Sequence, residues 1–155
     1  MSIERVREYF KILGIEDRII EFSVSSATVA LAAEALGCAP EYIAKSLTFK
    51  SGDSAIMVVA AGDARIDNRK FKETFGIKAK MLTADEAVTL IGHAVGGVCP
   101  FAVNDGVKIY LDESLRRFDY VYPACGSSNS AISVSLDELL SFSKADGWCD
   151  VCKLP

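Results

Sequence analysis

The chain has 155 residues, of which half are hydrophobic and a quarter are charged. This composition excludes an intrinsically disordered protein, because disordered chains lack the apolar content that a packed core requires. Seventeen basic residues against 21 acidic ones give a net charge of −4. That balance argues against a dedicated binder of duplex DNA, but it permits a small contact with one end of an RNA. The length predicts a single domain over residues 1–155.

No stretch approaches the ~18 apolar residues of a membrane helix, and the first ten residues lack the apolar segment of a secretory signal. The five cysteines are odd in number and scattered, which is not typical of a secreted disulfide framework. They are Cys38, Cys99, Cys125, Cys149 and Cys152. We therefore expect a cytoplasmic protein with free thiols and no contact with a membrane. The single histidine, His93, excludes a multi-histidine metal site.

The first 61 residues predict two helices and three strands. Helical spacing of apolar side chains indicates a helix over residues 3–13. Ser25, Ser26 and Thr28 offer N-caps for a second helix, which ends at Gly37. The strands of this part of the chain are predicted at residues 18–22, 43–50 and 54–61. The last of these has no polar interruption, which is typical of a central strand covered on both faces.

Helices and strands alternate through the rest of the chain. Asp67, Thr83 and Ser135 each precede a helical pattern and can serve as its N-cap. The remaining strands are predicted at residues 79–82, 107–111, 120–124 and 131–134. The residues after the last helix are expected to form a tail. Because hairpins accompany the alternation, we predict a mixed α/β fold in which one curled, barrel-like sheet is flanked by helices.

Lys45 is the most informative single residue. Alternate residues of a strand share a face, so Lys45 shares one with Ile43, Leu47 and Phe49. An ammonium among apolar side chains is costly unless it meets an anion or a water-filled cleft. Enzymes use such lysines to hold phosphates, to position carbonyls or as amines with a lowered pKa. The alternative is a lysine whose stem lies on apolar surface while its head reaches solvent.

Residues 92–101 (GHAVGGVCPF) form a glycine-rich segment between a predicted helix and a predicted strand. Its three glycines and its proline allow the backbone to approach a ligand closely in a fixed direction. Backbone N–H groups in such a loop can bind a phosphate or a developing oxyanion. The segment matches neither a Walker loop nor a dinucleotide fingerprint. The alternative is a helix end followed by a tight turn.

Residues 126–130 (GSSNS) offer hydroxyl and amide groups to a ligand, although an ordinary hairpin turn is the commoner explanation. His93 lies beside the glycine-rich segment and is a candidate general base. Cys99 is a candidate nucleophile, with a small packed residue as the favoured alternative.

Cys149 and Cys152 form a CxxC pair near the end of the sequence. A thioredoxin-like pair should follow a strand and open a helix, and no helical pattern follows here. A zinc site would need two further ligands, and the other cysteines are not paired at short spacing. Free thiols are therefore the favoured interpretation, with a redox or metal role as the alternative.

Four segments occur in an order that resembles the YbaK/EbsC family, which is related to the editing insertion domain of bacterial prolyl-tRNA synthetase. They are residues 44–47 (AKSL), 61–67 (AGDARID), 92–101 and 126–129. The similarity runs from about residue 22 to residue 140. It implies a curled mixed sheet flanked by helices, in a free-standing protein that acts in trans on the 3′ end of an aminoacyl-tRNA. An aminoacyl-tRNA synthetase is a candidate partner.

The resemblance also implies a site. Lys45 matches the family lysine that holds the 3′-terminal nucleotide, and Gly96, Gly97 and Pro100 match the loop whose backbone lies against the ester; these four form the implied catalytic set. The implied substrate-binding residues are Phe22, His93, Val98, Cys99, Phe101, Gly126, Ser127 and Asn129. Two residues depart from the family pattern, since Cys99 stands where serine is usual and Ala102 where glycine often follows the phenylalanine. The resemblance therefore does not identify the amino acid that is removed.

The implied reaction suits these residues. An aminoacyl ester is already activated, so its hydrolysis needs a positioned water and a stabilised oxyanion rather than a metal, a cofactor or a strong nucleophile. A synthetase rejects a near-isostere by only ~100-fold, and a second hydrolytic site makes up the difference. We therefore expect a proofreading, metal-independent aminoacyl-tRNA deacylase without a cofactor. The alternatives are a non-catalytic module that binds a nucleotide or tRNA end in the same cleft, and a redox or metal protein.

Overall fold

The computed structural model describes residues 2–155. Ten strands lie within that range: β1 (Ile20–Glu21), β2 (Ile43–Ser51), β3 (Ser54–Ala61), β4 (Arg65–Ile66), β5 (Lys108–Asp112), β6 (Tyr120–Pro123), β7 (Ser130–Ala131), β8 (Val134–Ser135), β9 (Gly147–Cys149) and β10 (Cys152–Lys153). The helices are α1 (Ser2–Leu13), α2 (Val29–Leu36), α3 (Asn68–Phe75), α4 (Ala84–Glu86) and α5 (Leu136–Ser143). A π-helical turn, Ala87–Ile91, continues α4. Short 3₁₀ turns occupy Glu16–Arg18, Pro40–Tyr42 and Glu113–Arg117.

Six strands form one curled sheet in the order β8-β6-β2-β3-β5-β9. The pairs β2–β3 and β6–β8 are antiparallel, whereas β2–β6, β3–β5 and β5–β9 are parallel. Residues 55–61 of β3 are all buried, as expected for a central strand with both faces covered. The prediction of a mixed, curled sheet flanked by helices is confirmed.

Two small antiparallel pairs lie outside this sheet. Strand β1 pairs with β7, and β4 pairs with β10. The first pair joins the segment after α1 to the segment after residue 129. Among the described residues, no helix has both the length and the apolar character of a membrane span.

The predicted helix caps are confirmed where the structure defines them. Thr28 caps α2 by accepting a hydrogen bond from the Leu31 N–H, and Gly37 ends that helix in the left-handed conformation. Asp67 caps α3. Thr83 and Ser135 each form a capping box with a glutamate three residues later.

Four predicted segments differ from the structure. Residues 18–22 hold only the short β1, because Glu16–Arg18 forms a 3₁₀ turn. The strand predicted at residues 79–82 is wrong, since this segment makes a single bridge from Met81 to Phe49. The strand predicted at residues 131–134 is divided into β7 and β8, which pair with different partners. The expected tail instead forms β9 and β10, whose backbones complete two sheets.

Candidate functional site

A cavity of about 320 Å³ opens beside the first half of β2. Its walls come from five parts of the chain: the start of α2 with the residues leading into it, strand β2, the segment from Met81 to Ala87, the glycine-rich segment, and the ends of β6 and β7. The lining residues that the argument below uses are Ser26, Thr28, Lys45, Ser46, Met81, Val95, Gly96, Val98 and Ser130. Met81 and Val95 are exposed, so the cavity meets solvent beside them.

Lys45 lines this cavity, and its ammonium is held at the end of β3. Nζ donates hydrogen bonds to the carbonyl oxygens of Gly62, at 3.3 Å, and of Ala64. Burial lowers the pKa of the Lys45 ammonium, while the Cys152 thiol and the Asp63 carboxylate act in the opposite direction. These hydrogen bonds to main-chain carbonyls therefore offset the loss of hydration that an ammonium undergoes among apolar side chains. An ammonium has three donors, so two carbonyls leave one N–H for a further acceptor.

Asp63, beside this lysine, is itself held by Arg117. The Arg117 guanidinium donates to both Asp63 carboxylate oxygens, at 2.6 and 3.1 Å, and its Nε donates to the carbonyl of Ser114. The Arg117 guanidinium lowers the pKa of the Asp63 carboxyl. This fixed carboxylate adds negative potential near the lysine without forming a direct ion pair with it among the pairs that the structure records.

The glycine-rich segment contributes Gly96 and Val98 to the cavity wall. Gly96 has φ +95°, a conformation that side chains with a Cβ rarely adopt. The Gly97 N–H closes a turn by donating to the carbonyl oxygen of Ala94 at 3.0 Å, so it is not available to a ligand. By contrast, the N–H groups of Gly96 and Val98 donate to no acceptor within residues 2–155. These two N–H groups are candidates for binding an oxyanion.

The structure brings the two candidate loops into direct contact. A Cβ at Gly97 would lie 2.7 Å from the carbonyl carbon of Gly126 and 2.7 Å from the nitrogen of Ser127. Beside this contact, a Cβ at Gly96 would lie 3.5 Å from the Cβ of Ser128. Residues 92–101 and 126–130 therefore form one continuous backbone surface, and Gly97 is required for the approach.

Helix α1 holds both loops in place. Arg5 donates to the carbonyl of Ala102 at 2.7 Å and to that of Gly92 at 3.4 Å, so its guanidinium spans the two ends of the glycine-rich segment. Ser2 Oγ donates to the carbonyl of Gly126 at 2.5 Å. Ala102, the residue that departs from the family glycine, has φ +51°, the left-handed conformation that glycine favours.

His93, Cys99 and Phe101 are completely buried beneath the loop and do not line the cavity. His93 Nε2 lies 2.8 Å from the carbonyl oxygen of Phe101, which fixes this nitrogen as the donor of a neutral ring. Burial lowers the pKa of His93 and raises that of Cys99 to about 12. A neutral buried imidazole and a protonated buried thiol support the loop from below, and this placement does not favour the candidate roles of general base and nucleophile. The Phe101 ring packs against Phe10 of α1 at 4.9 Å.

The remaining predicted site residues tie neighbouring segments together. The Phe22 N–H donates to the carbonyl of Asn129, and Asn129 Nδ2 donates back to the carbonyl of Phe22 at 3.0 Å. Ser127 Oγ donates to Ser130 Oγ at 2.7 Å. Pro100 lines a different surface depression. Of the twelve predicted site residues, three line the cavity, namely Lys45, Gly96 and Val98.

Sequence reasoning did not single out Ser46, and it considered Ser26 only as a cap. Alternation along β2 places Ser46 on the opposite face from Lys45, between Ala44 and Thr48. All three residues of that small, partly polar face line the cavity. The run of small side chains on alternate positions was the available signal. The role of Arg5 could not be predicted from the sequence, because its acceptors lie 87 to 99 residues away.

The CxxC pair is part of the sheet framework. Cys149 and Cys152 are buried, and neither forms a disulfide. Burial raises the pKa of Cys152 to about 12 and raises that of Cys149 as well, with the Asp112 carboxylate adding to both. Within residues 2–155, no cluster of three or more His, Cys, Asp and Glu side chains is arranged to hold a metal ion. Protonated, buried thiols do not favour the redox alternative.

The sequence model of the aminoacyl-tRNA editing domain matches residues 24–142. The chain belongs to the aminoacyl-tRNA editing domain family. The matched range includes Lys45 and both candidate loops, so the family resemblance inferred from the sequence is confirmed. Individual proteins and solved structures supply further comparisons.

The chain is 51% identical over 154 residues to YwhH of Bacillus subtilis (strain 168), a protein described as uncharacterized; the match covers 99% of this chain and 98% of YwhH. It is 30% identical over 104 residues to the proline–tRNA ligase of Halalkalibacterium halodurans, covering 66% of this chain and 18% of the ligase. The chain therefore spans less than a fifth of that ligase.

Two solved structures share the fold over nearly the whole chain. One is a protein proposed to be a trans-editing enzyme for prolyl tRNA synthetase, with a TM-score of 0.87 and 29% identity, covering 98% of this chain and 97% of that one. The other is the hypothetical protein APE2540, with a TM-score of 0.84 and 31% identity, covering 96% and 99%. This editing-domain chain is thus related to the insertion domain of prolyl-tRNA synthetases.

Proposed function

We propose that this editing-domain protein hydrolyses, in trans, the ester that joins a wrong amino acid to the 3′ end of a tRNA. The observation that carries the proposal is that Lys45, Gly96 and Val98 surround one cavity. The cavity wall thus combines a strand residue that carries an ammonium with two loop residues whose backbone N–H groups have no acceptor within residues 2–155. Two comparisons support an editing role for this cavity: the chain belongs to the aminoacyl-tRNA editing domain family, and its fold is similar to that of a protein proposed to be a trans-editing enzyme.

The reaction divides between the lysine and the loop. The third N–H of Lys45 binds the terminal nucleotide, and the Gly96 and Val98 N–H groups stabilise the oxyanion that develops on the ester carbonyl. A water, positioned in part by a ribose hydroxyl of the substrate, attacks the carbonyl carbon. As the tetrahedral intermediate collapses, the bond between that carbon and the ribose ester oxygen breaks, and a proton of the water passes to the ribose oxygen, which leaves as a hydroxyl. We propose that no metal takes part, because the ester is already activated. Gly97 and Pro100 act by fixing the path of the backbone between those N–H groups.

The acidic chain suits a substrate that enters only by its single-stranded end. Because relatives are prolyl-tRNA ligases, we propose proline tRNA as the carrier and the ligase as a partner. We place this activity in the reducing cytoplasm, where the five cysteines stay as thiols.

The test is deacylation of a panel of mischarged tRNAs, including proline tRNA, by the full chain and by Lys45→Ala. We expect hydrolysis of at least one ester, and a loss of ~100-fold or more in kcat/KM for Lys45→Ala, in keeping with the several kcal/mol that positioning supplies. The matched control is Lys50→Ala, because Lys50 lies on the same strand but pairs with Glu86 away from the cavity.

Thermal melts of both variants separate lost chemistry from lost folding, since Lys45 also anchors the Gly62 and Ala64 carbonyls. Equal activity of the folded Lys45→Ala variant would contradict the role of the lysine. Binding of a tRNA end that depends on Lys45, without turnover of any ester, would identify a non-catalytic module instead.

A further inference from the structure

Two hydroxyl groups in the cavity wall have no hydrogen-bond partner. Three buried polar side-chain atoms within residues 2–155 are unpartnered, namely Ser26 Oγ, Ser46 Oγ and His93 Nδ1. Ser26 and Ser46 both line the same cavity, whereas His93 does not. Ser26 is only 8% exposed. Because buried polar groups are almost always hydrogen-bonded, two exceptions at one cavity point to a missing ligand group.

Two of the other three small hydroxyls of the wall already have structural roles. Thr28 Oγ1 accepts from the Leu31 N–H and caps α2. Ser130 Oγ accepts from Ser127 Oγ. These two hydroxyls are committed to the fold, and Ser26 and Ser46 are not. The unused hydroxyls therefore come from two different walls, the approach to α2 and the strand β2.

The rest of the wall restricts what the hydroxyls can bind. Lys45 is the lysine of the lining, and no carboxylate, arginine or histidine of residues 2–155 lines the cavity. A cationic side chain would find no counter-charge there. A volume of about 320 Å³ is at the lower end for ligand sites, so the group that enters is small. A small neutral group with a donor and an acceptor fits these conditions.

We propose that Ser26 and Ser46 recognise the side-chain hydroxyl of the amino acid, so that this chain removes serine or threonine in preference to amino acids of the same shape without a hydroxyl. This inference rests on the proposed function and adds its substrate class. No hydrogen bond holds either serine in its present rotamer, so each is free to turn toward a ligand at the cost of no existing bond. A site that hydrogen-bonds a hydroxyl rejects an analogue lacking it, because its own buried groups are then left unpaired.

The experiment compares esters of equal shape on one tRNA. Seryl is matched with 2-aminobutyryl, and threonyl with valyl, so that a hydroxyl is exchanged for a methyl group within each pair. The full chain should hydrolyse the hydroxyl member at least ~10-fold faster in kcat/KM. Ser26→Ala and Ser46→Ala should each lower that ratio toward one, because each variant loses a hydroxyl that binds the hydroxyl member. Ser54→Ala is the matched control and should leave the ratio of the two rates unchanged, because Ser54 Oγ donates to the carbonyl of Gly106 outside the cavity.

A second measurement does not depend on turnover. Non-hydrolysable 3′-amide analogues of seryl- and 2-aminobutyryl-adenosine are added, and the shift of the thermal midpoint is recorded. A larger shift with the seryl analogue, abolished in the serine variants, supports the inference even if no ester is hydrolysed, and the proposed deacylase alone would then fail. Equal rates within each pair of esters, together with equal shifts for the two adenosine analogues, would overturn the inference while leaving a deacylase in place. A preference for the hydroxyl that survives in both serine variants would overturn it as well.

Discussion

Gly97→Ala tests whether the contact between the two loops builds the site. The new Cβ would lie 2.7–2.8 Å from three main-chain atoms of Gly126 and Ser127, against the 3.4 Å at which ordinary contact begins. Main-chain atoms cannot rotate away, so one loop must move by several tenths of an ångström. Gly97 itself lacks a positive φ, so the expected cost is steric.

The expected effect concerns both stability and activity. Overpacking of this kind costs ~1–3 kcal/mol, which corresponds to a fall of roughly 2–12 °C in Tm for a chain of this size. The same displacement moves the adjacent Gly96 and Val98 N–H groups, and a misplacement of about 1 Å can cost ~100-fold in rate. Calorimetry and the deacylation assay measure the two effects separately.

Gly76→Ala is the matched control. Gly76 ends α3 with φ +73°, and nothing lies within 4 Å of a Cβ placed there. This variant should lose about 1 kcal/mol through backbone strain and keep its full activity. Two results would refute the reasoning: a Gly97→Ala protein as stable and active as the original, or an equal loss of activity in Gly76→Ala.

Two further predictions concern parts of the chain outside the cavity. The Arg18 hydrogen bond, followed by that of the Ser135 N–H, lowers the pKa of Glu138 from 4.5 to about 2. The ionised Glu138 carboxylate therefore stabilises the fold fully above about pH 4.5, and this stabilisation is lost as the pH falls toward 2. Glu138→Gln should flatten the pH dependence of the free energy of unfolding in urea within that window, and it should cost about 1 kcal/mol at pH 7. An unchanged pH dependence in the variant would contradict this prediction. A thiol reagent should label only the half-buried Cys38 rapidly in the native protein and all five cysteines in denaturant, because the other four thiols are buried; fast native labelling of Cys149 or Cys152 would restore the redox alternative.

Local signals made most of the framework predictable. Strand β3 follows from its uninterrupted apolar run, and its hairpin with β2 follows from the turn chemistry between them. Thr83 and Ser135 were predictable as N-caps, and each forms a capping box with a glutamate only three residues later. Where pairing depends on distant strands, prediction failed. Residues 131–134 carry a strand-like composition, but β7 and β8 divide because their partners β1 and β6 lie in different places.

The site was less predictable for the same reason. The order of motifs identified Lys45 and the glycine-rich segment, but not what Lys45 binds. Its acceptors are the main-chain carbonyls of Gly62 and Ala64, which any residue type would supply. The close approach of Gly97 to residue 126 is likewise a tertiary fact without a sequence pattern of its own.

A cavity whose proposed oxyanion donors are backbone N–H groups places unusual weight on residues that never touch the substrate. No side chain can compensate if Gly96 and Val98 shift, so the accuracy of the site depends on what fixes the loop from behind. Three contacts of α1 do so: Arg5 on both loop ends, Ser2 on Gly126, and Phe10 against Phe101. Helix α1 lies before the matched editing-domain range of residues 24–142, yet it braces both loops of that range. We infer that α1 is a positioning element of the site.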